Sequence, residues 1–154
     1  MQAKQKRKLI HELAFYDSNI LLDAYSKTTS ETHKRDIARQ LLLASNWCIS
    51  AQVLQEFYSN AIRARAGQIV MLNSAEAQMV VSNIASKVLC AVDEPLVQQA
   101  IRISQRHQLS YWDGAIVAAA VRCGADELVS EDLNAGQVIE GMEVVNPFGL
   151  CHVA

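Results

Sequence analysis

Short apolar runs alternate with longer stretches of helical period along this chain, and that alternation limits the fold most. Residues 13–16, 47–50, 88–92, 128–129 and 142–145 read as strands. Between them lie segments with helix signals. Ser18 and Asn19 open an apolar segment to Tyr25, and Ile37, Leu41 and Leu42 alternate with Arg35 and Arg39 on an amphipathic helix that starts at His33. Ser50 is placed to cap a helix running from residue 51 toward Gly67, a natural stop. Further helices are expected over 74–86, over 94–107 with Pro95 in the first turn, and over 112–122, closed by Gly124. Residues 28–32 read as a polar loop. Strands interleaved with helices imply an α/β fold with a mostly parallel sheet covered on both faces.

A single domain over residues 13–150 accounts for nearly all of the 154 residues, preceded by a basic leader over residues 1–12. Lys4, Lys6, Arg7 and Lys8 precede Leu9 and Ile10, but His11 and Glu12 break the apolar run, so a signal peptide is not indicated. No apolar stretch approaches the roughly 20 residues of a membrane span, and a cytoplasmic protein is expected. Cys48, Cys90, Cys123 and Cys151 lack metal-ligand spacing and read as buried thiols, which gives zinc no support. The formal net charge of −2 supplies no global field for nucleic acid. A nuclease stays open, because metal ions neutralise acids where phosphate must approach. The Met-containing stretch 70–81 reads as core, with an interface as its alternative.

Four acids, Asp17, Glu56, Asp113 and Asp132, each stand where a predicted strand gives way to a loop or helix. In an open α/β sheet such ends converge in one crevice. Clustered carboxylates oppose one another's ionisation, and a divalent cation relieves that conflict; oxygen ligands suit Mg²⁺ or Mn²⁺. A metal-dependent enzyme acting on phosphates is the implied class.

Each acid has a plainer reading. Asp17 can cap the next helix, with Asn19 as a cap or a support for a metal or its water. Glu56 can sit at the wet edge of the stripe made by Val53, Leu54, Phe57 and Tyr58, with Gln52 and Gln55 on the exposed face. Asp113 can cap the small-residue helix beginning Gly114-Ala115, although that helix packs closely enough to carry it deep, with the aromatic bulk of Tyr111 and Trp112 around the charge. Asp132 can serve a turn, with either it or Glu131 facing solvent. Arg63, Arg65, Arg102 and Arg106 are candidates for phosphate contacts, against the plainer role of solvated helix faces. The histidines follow no strand, Ser18 and Ser50 lack triad partners, and no Gly-rich phosphate loop is present.

The segments Phe-Tyr-Asp-Ser-Asn-Ile-Leu-Leu (15–22), Ile-Ser-Ala-Gln-Val-Leu-Gln-Glu-Phe-Tyr (49–58), Leu-Ser-Tyr-Trp-Asp-Gly-Ala (109–115) and Leu-Val-Ser-Glu-Asp-Leu-Asn-Ala-Gly (128–136) together resemble the PIN-domain superfamily. Within it they resemble the VapC-type toxin ribonucleases, with Asn146-Pro147-Phe148 closing the match. The resemblance implies a three-layer α/β/α sandwich and an acidic quartet, Asp17, Glu56, Asp113 and Asp132, binding Mg²⁺ or Mn²⁺ for RNA hydrolysis. It implies support from Asn19, with Ser130 where the family commonly has Thr, and Gly114 in a place where Ala or Ser is more usual and the change should matter little. A small antitoxin partner and a homodimer are implied as well. Two other readings stand beside it. A haloacid-dehalogenase-like phosphatase would want Asp where Asn19 stands, and a silent PIN-like binding module would not need four intact acids.

Overall fold

The computed structural model describes residues 12–149, and five of its six strands fall on the expected apolar runs, the one begun at Val88 stopping at Cys90 rather than at 92. In chain order they are β1 Ala14–Tyr16, β2 Trp47–Ser50, β3 Val88–Cys90, β4 Glu127–Val129, β5 Val138–Ile139 and β6 Met142–Val145. They form one six-stranded sheet ordered β3-β2-β1-β4-β6-β5. Only β5 and β6 pair antiparallel. The leader over 1–12 lies outside the described residues except for Glu12, as does Cys151.

The helices are α1 Ser18–Tyr25, α2 Thr32–Leu43, α3 Ala51–Ala61, α4 Ser74–Ile84, α5 Glu94–His107 and α6 Tyr111–Arg122. The polar loop after α1 holds a 3-10 turn, Thr29–Glu31. The helices pack in two groups, α1 to α4 and α5 with α6, that flank the sheet. Capping accounts for most of the starts. Ser50 Oγ accepts from Val53 N, Asp93 caps α5 above Pro95, and Asn73 with Glu76 forms a reciprocal capping box on α4.

Several expectations are corrected. The helix after β2 stops at Ala61, well short of Gly67, because the Ala61 carbonyl accepts the Leu72 N–H and the chain turns away. The stretch 70–81 is not wholly core: Ala77 and Val80 are buried, whereas Met79 is 65% exposed on α4. The hairpin strand β5 was not expected at all. Cys48 and Cys90 are buried and Cys123 half-buried, all as free thiols.

Gly114 matters more than its sequence context suggests. A Cβ there would stand 2.8 Å from the Ala100 carbonyl oxygen and 2.8 Å from the Ser104 Cβ, so α5 and α6 approach through a space only glycine leaves open. The core runs through Phe15, Ile20, Leu21, Ile49, Val53, Phe57, Val117 and Leu128. These residues hold the carboxyl ends of β1, β2 and β4 side by side, and three of the four acids follow those strands.

Candidate metal-binding site

β1 delivers Asp17, which is 5% exposed and caps α1 by accepting from Ser18 N at 2.7 Å. Its other oxygen accepts from Ser130 Oγ at 2.8 Å, just beyond β4. Capping and a site role therefore coexist in one carboxylate. Glu56 stands in the second turn of α3. Its two oxygens accept from Ser18 Oγ at 2.7 Å and from Gln52 Nε2 at 2.8 Å. Asp132 Oδ2 accepts from Asn19 Nδ2 at 3.1 Å, and Asn19 Nδ2 also lies 3.3 Å from Ser130 Oγ. Asp132 N in turn donates to Ser130 Oγ at 3.2 Å. Three acids are thus joined into one chain of neutral donors, Gln52–Glu56–Ser18–Asp17–Ser130–Asn19–Asp132.

Asp113 stands apart from that chain. It follows a helix rather than a strand, in the first turn of α6, and its carboxylate accepts from Ser110 Oγ at 2.8 Å. It is half-buried, not deep, and Trp112 beside it is 65% exposed. Gln52 and Gln55 line one small cavity together with Tyr111 and Trp112, which sets the first turn of α6 alongside α3. Gln52 is itself only 7% exposed, so the exposed-face expectation fails for it and holds for Gln55. Its spacing of four residues from Glu56 is the signal that would have revealed the contact. Ser18 is the other residue passed over; adjacency to Asp17 gave no hint that its hydroxyl turns to α3.

Glu131 does not point to solvent. It pairs with Lys34 at 2.8 Å and lies near Asp23. Arg106 is drawn to Glu140 at 3.0 Å, and Arg102 is exposed on α5. Arg63 and Arg65 line a cavity of about 670 Å³ beyond the far end of α3.

Electrostatics set the acidic chain apart. Burial pushes the Asp17 carboxyl up to about 6, offset in part by its bonds from Ser130 and Ser18 and reinforced by the charges of Glu56 and Asp132. Among the described residues, no lysine or arginine bonds to any of the three acids. The Oδ1 of Asn19 is buried without a hydrogen-bond partner. No three His, Cys, Asp or Glu side chains among the described residues form a ready ligand set. That leaves a Mg²⁺ or Mn²⁺ site open, since Mg²⁺ keeps several waters and takes one or two carboxylates. Hard oxygen donors, uncompensated charge and an orphaned carbonyl oxygen fit such an ion.

Residues 14–139 match the PIN domain family model. Among solved structures, a toxin–antitoxin complex from Klebsiella pneumoniae is similar over 87% of this chain and 97% of its own, with 20% identity and a TM-score of 0.63. Mycobacterium tuberculosis VapC20, described as a toxin cleaving the sarcin–ricin loop, is 19% identical over 75% of this chain and 86% of its own, with a TM-score of 0.56. The FitAcB structure from Neisseria gonorrhoeae is 14% identical over 90% of this chain and 100% of its own, with a TM-score of 0.57. No curated protein sequence matches the chain. The family match spans every strand of the sheet except β6, from the one that delivers Asp17 to the hairpin strand β5, and by it this chain belongs to the PIN domain family.

Proposed function

We propose that this protein is a metal-dependent endoribonuclease that hydrolyses RNA phosphodiester bonds, acting as the toxin of a toxin–antitoxin pair. The observation that carries the reading is the chain of three acids fixed by neutral donors at the carboxyl ends of β1, β2 and β4. The toxin–antitoxin complex from Klebsiella pneumoniae, which shares the fold, supports the partner part of it. A small antitoxin would cover the crevice, and a second copy of the chain would complete a homodimer.

Asp17, Glu56, Asp113 and Asp132 would hold Mg²⁺ or Mn²⁺, which when bound lowers the pKa of an attacking water and balances charge on the phosphate. The chain's own part is orientation. Ser130 and Ser18 pin the two oxygens of Asp17, and Gln52 and Ser18 pin those of Glu56, so neither carboxylate can rotate away. Asn19 draws Asp132 toward Asp17. Ser110 fixes Asp113 in the first turn of α6 by donating to its carboxylate.

The test is cleavage of a mixed RNA pool by the purified protein with Mg²⁺ or Mn²⁺ against EDTA, beside Asp17→Asn and Asp113→Asn. Metal-dependent cutting lost in both variants supports the quartet. Cutting that survives EDTA and both substitutions sinks the proposal. Cutting lost only in Asp17→Asn removes Asp113 from the site.

A further inference from the structure

The strongest feature outside the acidic chain is the cavity beyond Glu56. Lys27, Arg63 and Arg65 line it, with Leu22, Ile69 and Met71 as apolar wall. Three cations around one opening are notable in a chain of net charge −2. Elsewhere Lys34, Arg106 and Arg122 pair with Glu131, Glu140 and Asp93, and Arg35, Arg39 and Lys87 donate to backbone carbonyls. Among the described residues Lys27 and Arg63 have no acidic partner, and Arg65 reaches only the side-chain oxygen of Asn60, at 3.4 Å. Glu31, the acid on the rim, accepts from Ser26 instead.

The cavity lies one helical turn from the acidic chain on each of two helices. On α1, Ser18 bonds to Glu56 and Leu22, one turn later, lines the cavity. On α3, Glu56 holds that bond and Asn60, one turn later, lines the cavity too. Asn60 donates to the Glu56 carbonyl at 2.8 Å while its oxygen faces Arg65. A strand whose scissile phosphate sits among the acids would meet these cations with its flanking phosphates, and its bases and sugars would find the apolar wall.

We propose that this cavity is the path of the RNA strand on one side of the cut, with Lys27, Arg63 and Arg65 holding backbone phosphates. The inference rests on the nuclease reading and assigns its substrate as single-stranded RNA extending past the acids along α3. Sequence-independent phosphate contacts predict a footprint longer than the scissile step and a strong salt dependence.

Binding of a fluorescein-labelled twelve-nucleotide single-stranded RNA, followed by anisotropy in EDTA, tests it without cleavage. The triple variant Lys27→Gln, Arg63→Gln, Arg65→Gln is compared with the parent protein, all three positions being exposed and away from the core. Arg122→Gln, in the last turn of α6 outside the cavity, sets the size of the general charge effect. The expected result is a dissociation constant raised at least about tenfold in the triple variant between about 50 and 200 mM salt, with a salt slope shallower by about 2, from about 0.7 per phosphate contact on a single strand. Arg122→Gln should change affinity less than about twofold. No RNA binding by the parent protein overturns the inference. So does an unchanged affinity and slope in the triple variant, which would leave the cavity to an acidic peptide of a partner protein. The nuclease reading fails separately: a protein that binds through the cavity but cuts nothing keeps the strand path and loses the activity.

Discussion

Two acidic groups draw on α1 and on the segment after β4, and they settle their charge differently. Asp23, Glu131 and Lys34 form the first. Lys34 bonds to Glu131 at 2.8 Å, while burial and the Glu131 carboxylate hold the Asp23 carboxyl well above its usual range. Lys34 and the raised Asp23 carboxyl therefore ease the balance from within the chain. Asp17, Glu56 and Asp132 form the second, and there Ser18, Asn19, Gln52 and Ser130 orient the carboxylates without neutralising them. Neutral donors fix direction and leave the charge in place. A group built that way is open to a cation from outside, whereas the first already contains one in Lys34.

The sharpest way to break this contrast is to neutralise one member of each group. Asp17→Asn should lower single-turnover RNA cleavage by about 10³-fold or more, since metal activation is worth several kcal/mol. Asp23→Asn should stay within a few-fold; equal losses in both would erase the distinction.

The pH dependence of stability comes next. The folded pKa of Asp17, about 6, lies above its ordinary value of 3.8, so the folded state holds the proton more tightly. Between those values the folded protein binds more protons than the unfolded one, and stability falls as pH rises. In EDTA this group should cost about 3 kcal/mol above pH 6, with the loss setting in from about pH 4. Asp17→Asn should remove that fall in chemical denaturation at pH 7 while removing activity; a parent and variant with parallel pH profiles would refute the assignment.

Cation binding gives a smaller effect. Mg²⁺ at about a hundred times its dissociation constant should stabilise the parent by about 2.7 kcal/mol and raise its Tm. Asp17→Asn should show little of that rise, and an equal rise in both would move the ion elsewhere. The smallest change belongs to the closed group. Lys34→Met should cost only about 1 kcal/mol, because Lys34 is exposed enough for water to screen the pair. A loss several times larger would mean that the lysine is essential to the closed group.

How far the sequence reveals this molecule depends on the range of the interaction. The strands at 14–16 and 47–50 and the helix at 94–107 were legible because apolar runs, a Ser or Asp cap and Pro95 are local signals. The end of α3 was not, since Ile62 to Ala66 carry no breaker and the stop comes from Leu72, eleven residues past Ala61. The β5–β6 hairpin escaped notice because β5 has only two residues, and its turn uses Glu140 and Gly141 at φ 50 and 83 in place of the usual Asn-Gly. In the site, Asp17, Glu56 and Asp132 were nameable from their positions after strands. Their linkage through Ser18 and Asn19 depends on side-chain directions across elements. Gly114 is the clearest case: nothing near it in sequence announces that Ala100 lies against it. Gly114→Ala should cost about 1–3 kcal/mol through that contact.

The sheet also has consequences for how the protein behaves in a crowded solution. It begins with three-residue β3 and ends with two-residue β5, so each rim offers only a few unpaired backbone groups. Rims that short make poor templates for another chain's strand, which protects the fold against edge-to-edge aggregation despite the exposed Leu89 and Val138. A partner protein must therefore seat itself on helices and loops, and an association that works by lengthening the sheet is closed to this molecule.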